Sequence, residues 1–185
     1  MVALVFYPIE DAKKVLQFYR EFSANAPDEI AGYALILNVP PADPFPKELQ
    51  GETAIAIVAC HCGALEDGKI VLSSLEDFGN PFFKAIMPMP FVALQSNFDP
   101  SAPKGMRNYW KSHYMDMISD EAIEVLVNHL KRLPGPLSVA SFEPLGGAIS
   151  RVNEQDTAFP QRSASYPKFR KLVDLRKILV KKIKY

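Results

Sequence analysis

Cysteine is nearly absent from this 185-residue chain: Cys60 and Cys62 are the whole complement. Two residues apart on an expected strand, they point the same way and are poorly placed to bridge each other. That excludes a disulfide framework and makes a reducing cytoplasm the expected compartment. The chain also lacks any apolar run near the ~20 residues a membrane span needs. Residues 1–7 are apolar but have no charged flank and run into Pro8 and acids, so no signal peptide is expected. No G-x-G-x-x-G or Walker spacing occurs. Gly146-Gly147 does not follow a strand and open a helix, so the chain has no recognisable nucleotide cradle of its own.

Histidine is scarce too, with His61, His113 and His129 only. Cys60-His61-Cys62 has the wrong spacing for a zinc knuckle, which needs two to four residues between cysteines and a second ligand pair. Alternation turns the cysteines to one side of the strand and the histidine to the other. The expectation is small, buried, apolar cysteines and no metal site. His129 falls on an expected helix surface, and nothing sets His113 beside a cysteine, so no cysteine–histidine nucleophile is expected.

Net charge is absent as well, but its halves are not. Residues 1–167 hold 13 Lys and Arg against 20 Asp and Glu, whereas residues 168–185 hold eight against one acid, Asp174. An acidic body therefore meets a basic tail. The body has no basic patch for a polyanion. Seven net charges at one end promise only weak, salt-sensitive binding to nucleic acid, so nucleic-acid and membrane partners are not expected.

What is present is an ordinary globular composition, 48% hydrophobic, enough to bury a core in a chain of this length. The patterns predict strands over 2–7, 30–39 and 53–62, the last buried on both faces, and helices over 9–24 and 65–78. This β-α-β-β-α order is most of a ferredoxin-like unit. Residues 82–104, broken by prolines, read as irregular around a short helix at 91–97. A strand over 107–117, a helix capped by Ser119, a strand over 137–143 and a further short strand over 148–152 follow. The fold class is α+β: one antiparallel sheet of about six strands with helices on one face, over residues 1–165. Residues 166–185 form a basic tail with helical periodicity from Phe169.

The strand around Trp110 is the most informative stretch. Alternation puts Tyr109, Lys111 and His113 on one face and Asn108, Trp110, Ser112 and Tyr114 on the other. A mid-strand lysine among aromatics is either a ligand-facing cation or part of a solvated outer face, since burying an unpaired ammonium is costly. Glu143, ending an apolar strand before the Gly-Gly turn, is either a site carboxylate or the first exposed loop residue.

Met87-Pro88-Met89-Pro90-Phe91, Leu94-Gln95, Asn108-Tyr109-Trp110-Lys111-Ser112, Gly146-Gly147-Ala148 and Thr157-Ala158-Phe159-Pro160-Gln161-Arg162 occur in this order. Together, over residues 2–162, they resemble the substrate domain of the berberine-bridge-enzyme-like FAD-linked oxidases. The resemblance implies flavoenzymes of two lobes. One lobe binds FAD. The other lays an antiparallel sheet over the flavin ring and holds an alcohol or amine that loses a hydride to flavin. Tyr109, Lys111, His113 and Glu143 are the substrate-binding candidates, and no catalytic residue is assigned. Lys111-Ser112 matches the family's Lys-Ser, and Tyr109 an aromatic position on the same strand. Glu143 sits where relatives present a substrate-facing side chain.

The departures lie at the two ends. The resemblance starts at the second lobe, the family's Phe-Pro-His-Arg carries Gln161 in place of histidine, and the match stops where the charge switches. The expectation is a truncated or split oxidase lobe, inactive alone, with FAD only if a separate flavin-binding lobe is supplied. Its expected partner is that lobe, or a second copy across the exposed sheet face. The rival reading is a non-catalytic small-molecule-binding or self-associating α+β module.

Overall fold

A computed structural model describes residues 1–106, 108–115, 117–159, 162 and 166–174, with backbone alone for 113 and 166–174. Seven strands form one sheet: β1 (Val2–Pro8), β2 (Ile30–Asn38), β3 (Thr53–His61), β4 (Phe83–Met87), β5 (Asn108–Met115), β6 (Val139–Glu143) and β7 (Tyr166–Asp174). Their order is β4-β1-β3-β2-β6-β7-β5, and every pairing is antiparallel. Among the described residues four helices accompany them: α1 (Ala12–Asn25), α2 (Leu65–Asp77), α3 (Phe91–Ser96) and α4 (Asp120–Leu130). The fold is α+β, with the β-α-β-β-α start completed into a ferredoxin-like unit by β4.

Helices α1, α2 and α4 close one face of the sheet. Their apolar stripes bring Val15, Leu16, Leu72, Leu75, Ile123 and Val127 onto the inward residues of the strands, among them Tyr7, Ile36, Ile57 and Phe142. Ser119 begins α4 as the sequence predicts, its hydroxyl accepting from the Ala122 amide at 3.2 Å. Gly68 lets α2 sit close: a Cβ there would lie 2.8 Å from the Met1 side chain and 3.0 Å from the His61 ring. At the other end of α2, the Tyr7 hydroxyl donates to the Leu75 carbonyl at 2.8 Å, serving one of the carbonyls a helix end leaves unpaired.

Strand β3 is buried on both faces, as its continuous apolar run predicts. Ile55 and Ile57 join the helix-side core. Ala54 and Ala56 join a smaller cluster on the reverse face with Phe6 and Val39, against which Phe45 and Phe83 pack. Phe98, just past α3, meets Tyr33 edge-on at 6.3 Å. Register puts Tyr33 on the reverse face too, so this face is roofed in places by loops rather than by a helical layer.

Four expectations need correction. Residues 83–87 form an edge strand, β4, inside the stretch expected to be irregular, because the open edge of β1 offers unpaired backbone groups that a five-residue segment satisfies. Gly147–Ile149 is a 3-10 turn where a short strand over 148–152 was expected. Cys60 is half-buried and Cys62 exposed, so the cysteines are not the buried pair expected. Residues 166–174 are a strand inserted between β6 and β5, not the start of a helical tail outside a 1–165 domain. Helical and alternating patterns are nearly degenerate over nine residues, and β6 with no second neighbour would leave its buried backbone unpaired. The remainder of the expected tail helix, 175–185, lies outside the described residues. No described helix is long and apolar enough to cross a membrane.

Candidate functional site

Residues opposite one another in a β-ladder share a face, so register lines decide which side chains can meet. One line runs Ile36, Ala140, position 171, Lys111. Ile36 and Ala140 belong to the helix-side core, so Lys111, and by alternation Tyr109 and position 113, face the helix side. The neighbouring line runs Leu35, Ser141, position 170, Ser112, and it belongs to the reverse face. Trp110 and Glu143 alternate onto that same side.

The four candidates therefore do not converge. Tyr109 and Lys111 lie on the helix side but are exposed, because β5 sits at the sheet edge beyond the packed helices. They occupy a solvated outer face. The His113 side chain lies outside the description. Glu143 is on the opposite face, part-buried, with Ser141 Oγ donating to its Oε1 at 3.1 Å. Among the described residues, no hydrogen bond engages Oε2. Ser141 itself is nearly buried, and Trp110 is half-exposed. The structure thus gathers Ser141, Glu143, Ser112 and Trp110 on one face. The sequence marks Ser141 only as the residue two before Glu143, and it does not tell which alternation of β5 matches which alternation of β6.

The loop after β6 is pinned at both ends. Arg151 forms a two-point ion pair with Asp28, donating from Nη1 and Nη2 to the two carboxylate oxygens. The hydrogen bond from Arg151 holds the Asp28 carboxyl below the usual carboxylate range. Gly147 makes the turn at φ +62°, where a Cβ would stand 3.0 Å from Asp28 Oδ1. Farther on, the Arg162 guanidinium lies 4.8 Å from the centre of the Phe159 ring and donates to the Phe159 and Ile149 carbonyls and the Thr157 hydroxyl. Phe159 in turn meets Tyr114 edge-on at 5.9 Å. The Thr157-to-Arg162 motif therefore fastens the loop onto β5.

Among the described side chains, the open face offers a carboxylate, two hydroxyls and an indole, groups suited to a flat ring or a small polar molecule. A diphosphate needs backbone amides or cations. The starts of α2 and α4 instead carry Glu66, Asp67, Asp120 and Glu121. A cleft of about 510 Å³ beside α2 is lined by Glu29, His61 and Asp67, again the wrong charge.

No protein-family model matches the chain. In sequence it is 23% identical over 163 residues to an FAD-linked oxidoreductase of Dictyostelium discoideum, a match covering 86% of this chain and 36% of that protein. Among solved structures, it is similar to the berberine-bridge-enzyme-like protein 1 of Physcomitrella patens, with a TM-score of 0.68 at 16% identity over 94% of this chain and 38% of that one. It is also similar to berberine-bridge-enzyme-like protein 28 of Arabidopsis thaliana, at 0.66 and 13% over 93% and 36%. A third likeness is to the berberine bridge enzyme of Eschscholzia californica, at 0.63 and 15% over 93% and 35%. The chain thus spans a little over a third of the relatives it matches, and it has the fold of that third of a berberine-bridge-enzyme-like protein.

Proposed function

We propose that this chain is the substrate-facing lobe of an FAD-dependent oxidoreductase, and that the sheet face bearing Ser141, Glu143, Ser112 and Trp110 looks onto a flavin held by another lobe. One observation carries the reading: the polar Ser141–Glu143 pair stands on a face that no described helical layer covers, in a fold shared with flavin-linked relatives. In this arrangement Glu143 receives the proton that an alcohol or amine gives up as it is oxidised. Ser141 fixes the orientation of the carboxylate, and Trp110 walls the site. Flavin supplies the electron chemistry when its lobe is present. Tyr109 and Lys111, on the far side of the strand, have no place in this site as the isolated chain is folded.

The chain purified alone is expected to be colourless and without oxidase turnover. Adding the flavin-binding lobe of a relative should quench and blue-shift the emission of Trp110, the one tryptophan in the sequence. A yellow, flavin-loaded chain that turns over by itself would overturn the reading. The second reading, a self-associating module without catalysis, draws on the exposure of Phe91, Val92 and Trp110. It is favoured if sedimentation finds dimers at micromolar concentration and the flavin lobe does not displace them.

A further inference from the structure

Cys60 and Cys62 stand apart from the site above, and the oxidoreductase reading makes no use of them. Their sulfurs are 4.0 Å apart, one half-buried and one open to solvent. A disulfide requires about 2.05 Å between sulfurs and about 3.8 Å between the Cβ atoms. The backbone here cannot supply that easily. Cys60 is paired across both flanks, with Val2 and Ala31. The His61 amide donates to the Met1 carbonyl at 2.8 Å, and the Cys62 amide to the Glu29 carbonyl at 2.9 Å. The two thiols are thus held in contact by a strand that resists drawing them closer.

A bridging ion needs no such movement. With metal–sulfur bonds of about 2.3 Å, a 4.0 Å sulfur separation subtends roughly 120° at the metal. That is a trigonal angle. No group of three or more metal-ligating side chains occurs among the described residues, which disfavours zinc and its four protein ligands. Soft thiolates in low coordination suit Cu(I).

We propose that Cys60 and Cys62 form a two-thiolate clamp for Cu(I), with one small exogenous ligand completing a trigonal site. Binding breaks two S–H bonds and forms two S–Cu bonds. Both protons pass to solvent, and neither copper nor sulfur changes oxidation state. His61 is not a ligand here: it is turned to the other face, where its Nδ1 accepts from the Gly63 amide at 3.2 Å.

The test is a titration of the full, reduced chain with Cu(I) buffered by bicinchoninate and ascorbate, with stoichiometry read by native mass spectrometry. One copper per chain is expected. Cys62→Ser, at an exposed position, should retain the far-ultraviolet circular dichroism of the parent and lose more than about 100-fold in affinity. Cys60→Ala should behave the same way, and His129→Gln should bind as the parent does. Failure of the parent to take copper from the buffer overturns the proposal. So does stoichiometric copper in either cysteine variant. A count of zero free thiols in protein purified without reductant also overturns it, and is unambiguous because the chain has no other cysteine.

Discussion

Tyr7→Phe removes one oxygen atom and nothing else from the centre of the fold. Tyr7 has no solvent exposure, and its hydroxyl donates at 2.8 Å to the Leu75 carbonyl near the end of α2. The ring would stay in its edge-on contact with Phe78, so no cavity of consequence opens. The lost quantity is the hydrogen bond, together with the cost of leaving a buried carbonyl unserved, about 2 kcal/mol. For a chain of this length that is a fall of roughly 4–8 °C in Tm. The same oxygen makes a second, independent prediction. Burial pushes the Tyr7 phenol up from 10.0 to about 12. A folded-state value above the unfolded one contributes stability that is complete below pH 10 and is lost as pH rises toward 12. At pH 11 the parent should have lost about 1 kcal/mol through this group, while the phenylalanine variant has no such group to lose. Every other group is common to both proteins and cancels in the comparison. Urea unfolding of the pair at pH 7 and pH 11 should therefore show a gap of about 2 kcal/mol shrinking to about half. A gap that stays constant or widens would refute the assignment of the hydroxyl as a buried donor.

At the acid end the sign reverses. Hydrogen bonds from Gln17 and then Arg20 hold the Asp120 carboxyl low, as Arg151 does for Asp28. Their contributions are complete above the ordinary carboxylate value and fade as pH falls below about 4, an effect that added salt should weaken in pH-dependent melts. Gly147→Ala should cost about 1–2 kcal/mol, because φ +62° is strained for any side chain. It should also move the Asp28 carboxyl back toward its ordinary range, a shift NMR titration can follow. Ser119→Ala removes the α4 cap and should cost about 1 kcal/mol in urea melts. Glu143→Gln should leave the stability of the isolated chain within about 0.5 kcal/mol yet abolish turnover in a complex reconstituted with a flavin-binding lobe.

The first half of the fold is legible because its segments are long and strongly periodic. Val15, Leu16 and Tyr19 recur on one helical face, and the run from Ile55 to Ala59 has room only in a strand covered on both sides. Strand β4 escapes such reading because it is five residues long and set among prolines, and its pairing is dictated by the open edge of β1 rather than by its own pattern. Strand β7 escapes because Phe169, Leu172 and Val173 suit either period. At the site, alternation correctly separates Lys111 from Ser112 on β5, and Glu143 is correctly placed at the end of its strand. What alternation lacks is a phase between strands. Glu143 and Lys111 come from elements whose relative phase passes through β7, and a shift of one residue in either ladder would exchange their faces.

The insertion of β7 between β6 and β5 has a consequence for the order of events as the chain leaves the ribosome. Strand β5 is made well before β7, yet among the described residues its one ladder is to β7. Until β7 arrives, β5 lacks its hydrogen-bonded neighbour among the described strands and β6 stands as an open edge, while the ferredoxin-like half can already be closed. Deleting residues 166–174 would therefore unmoor two strands for the loss of one. The half-made protein would expose Trp110 and the edge of β6 together, and at that stage a chaperone or a second nascent copy would meet the molecule at its most adhesive.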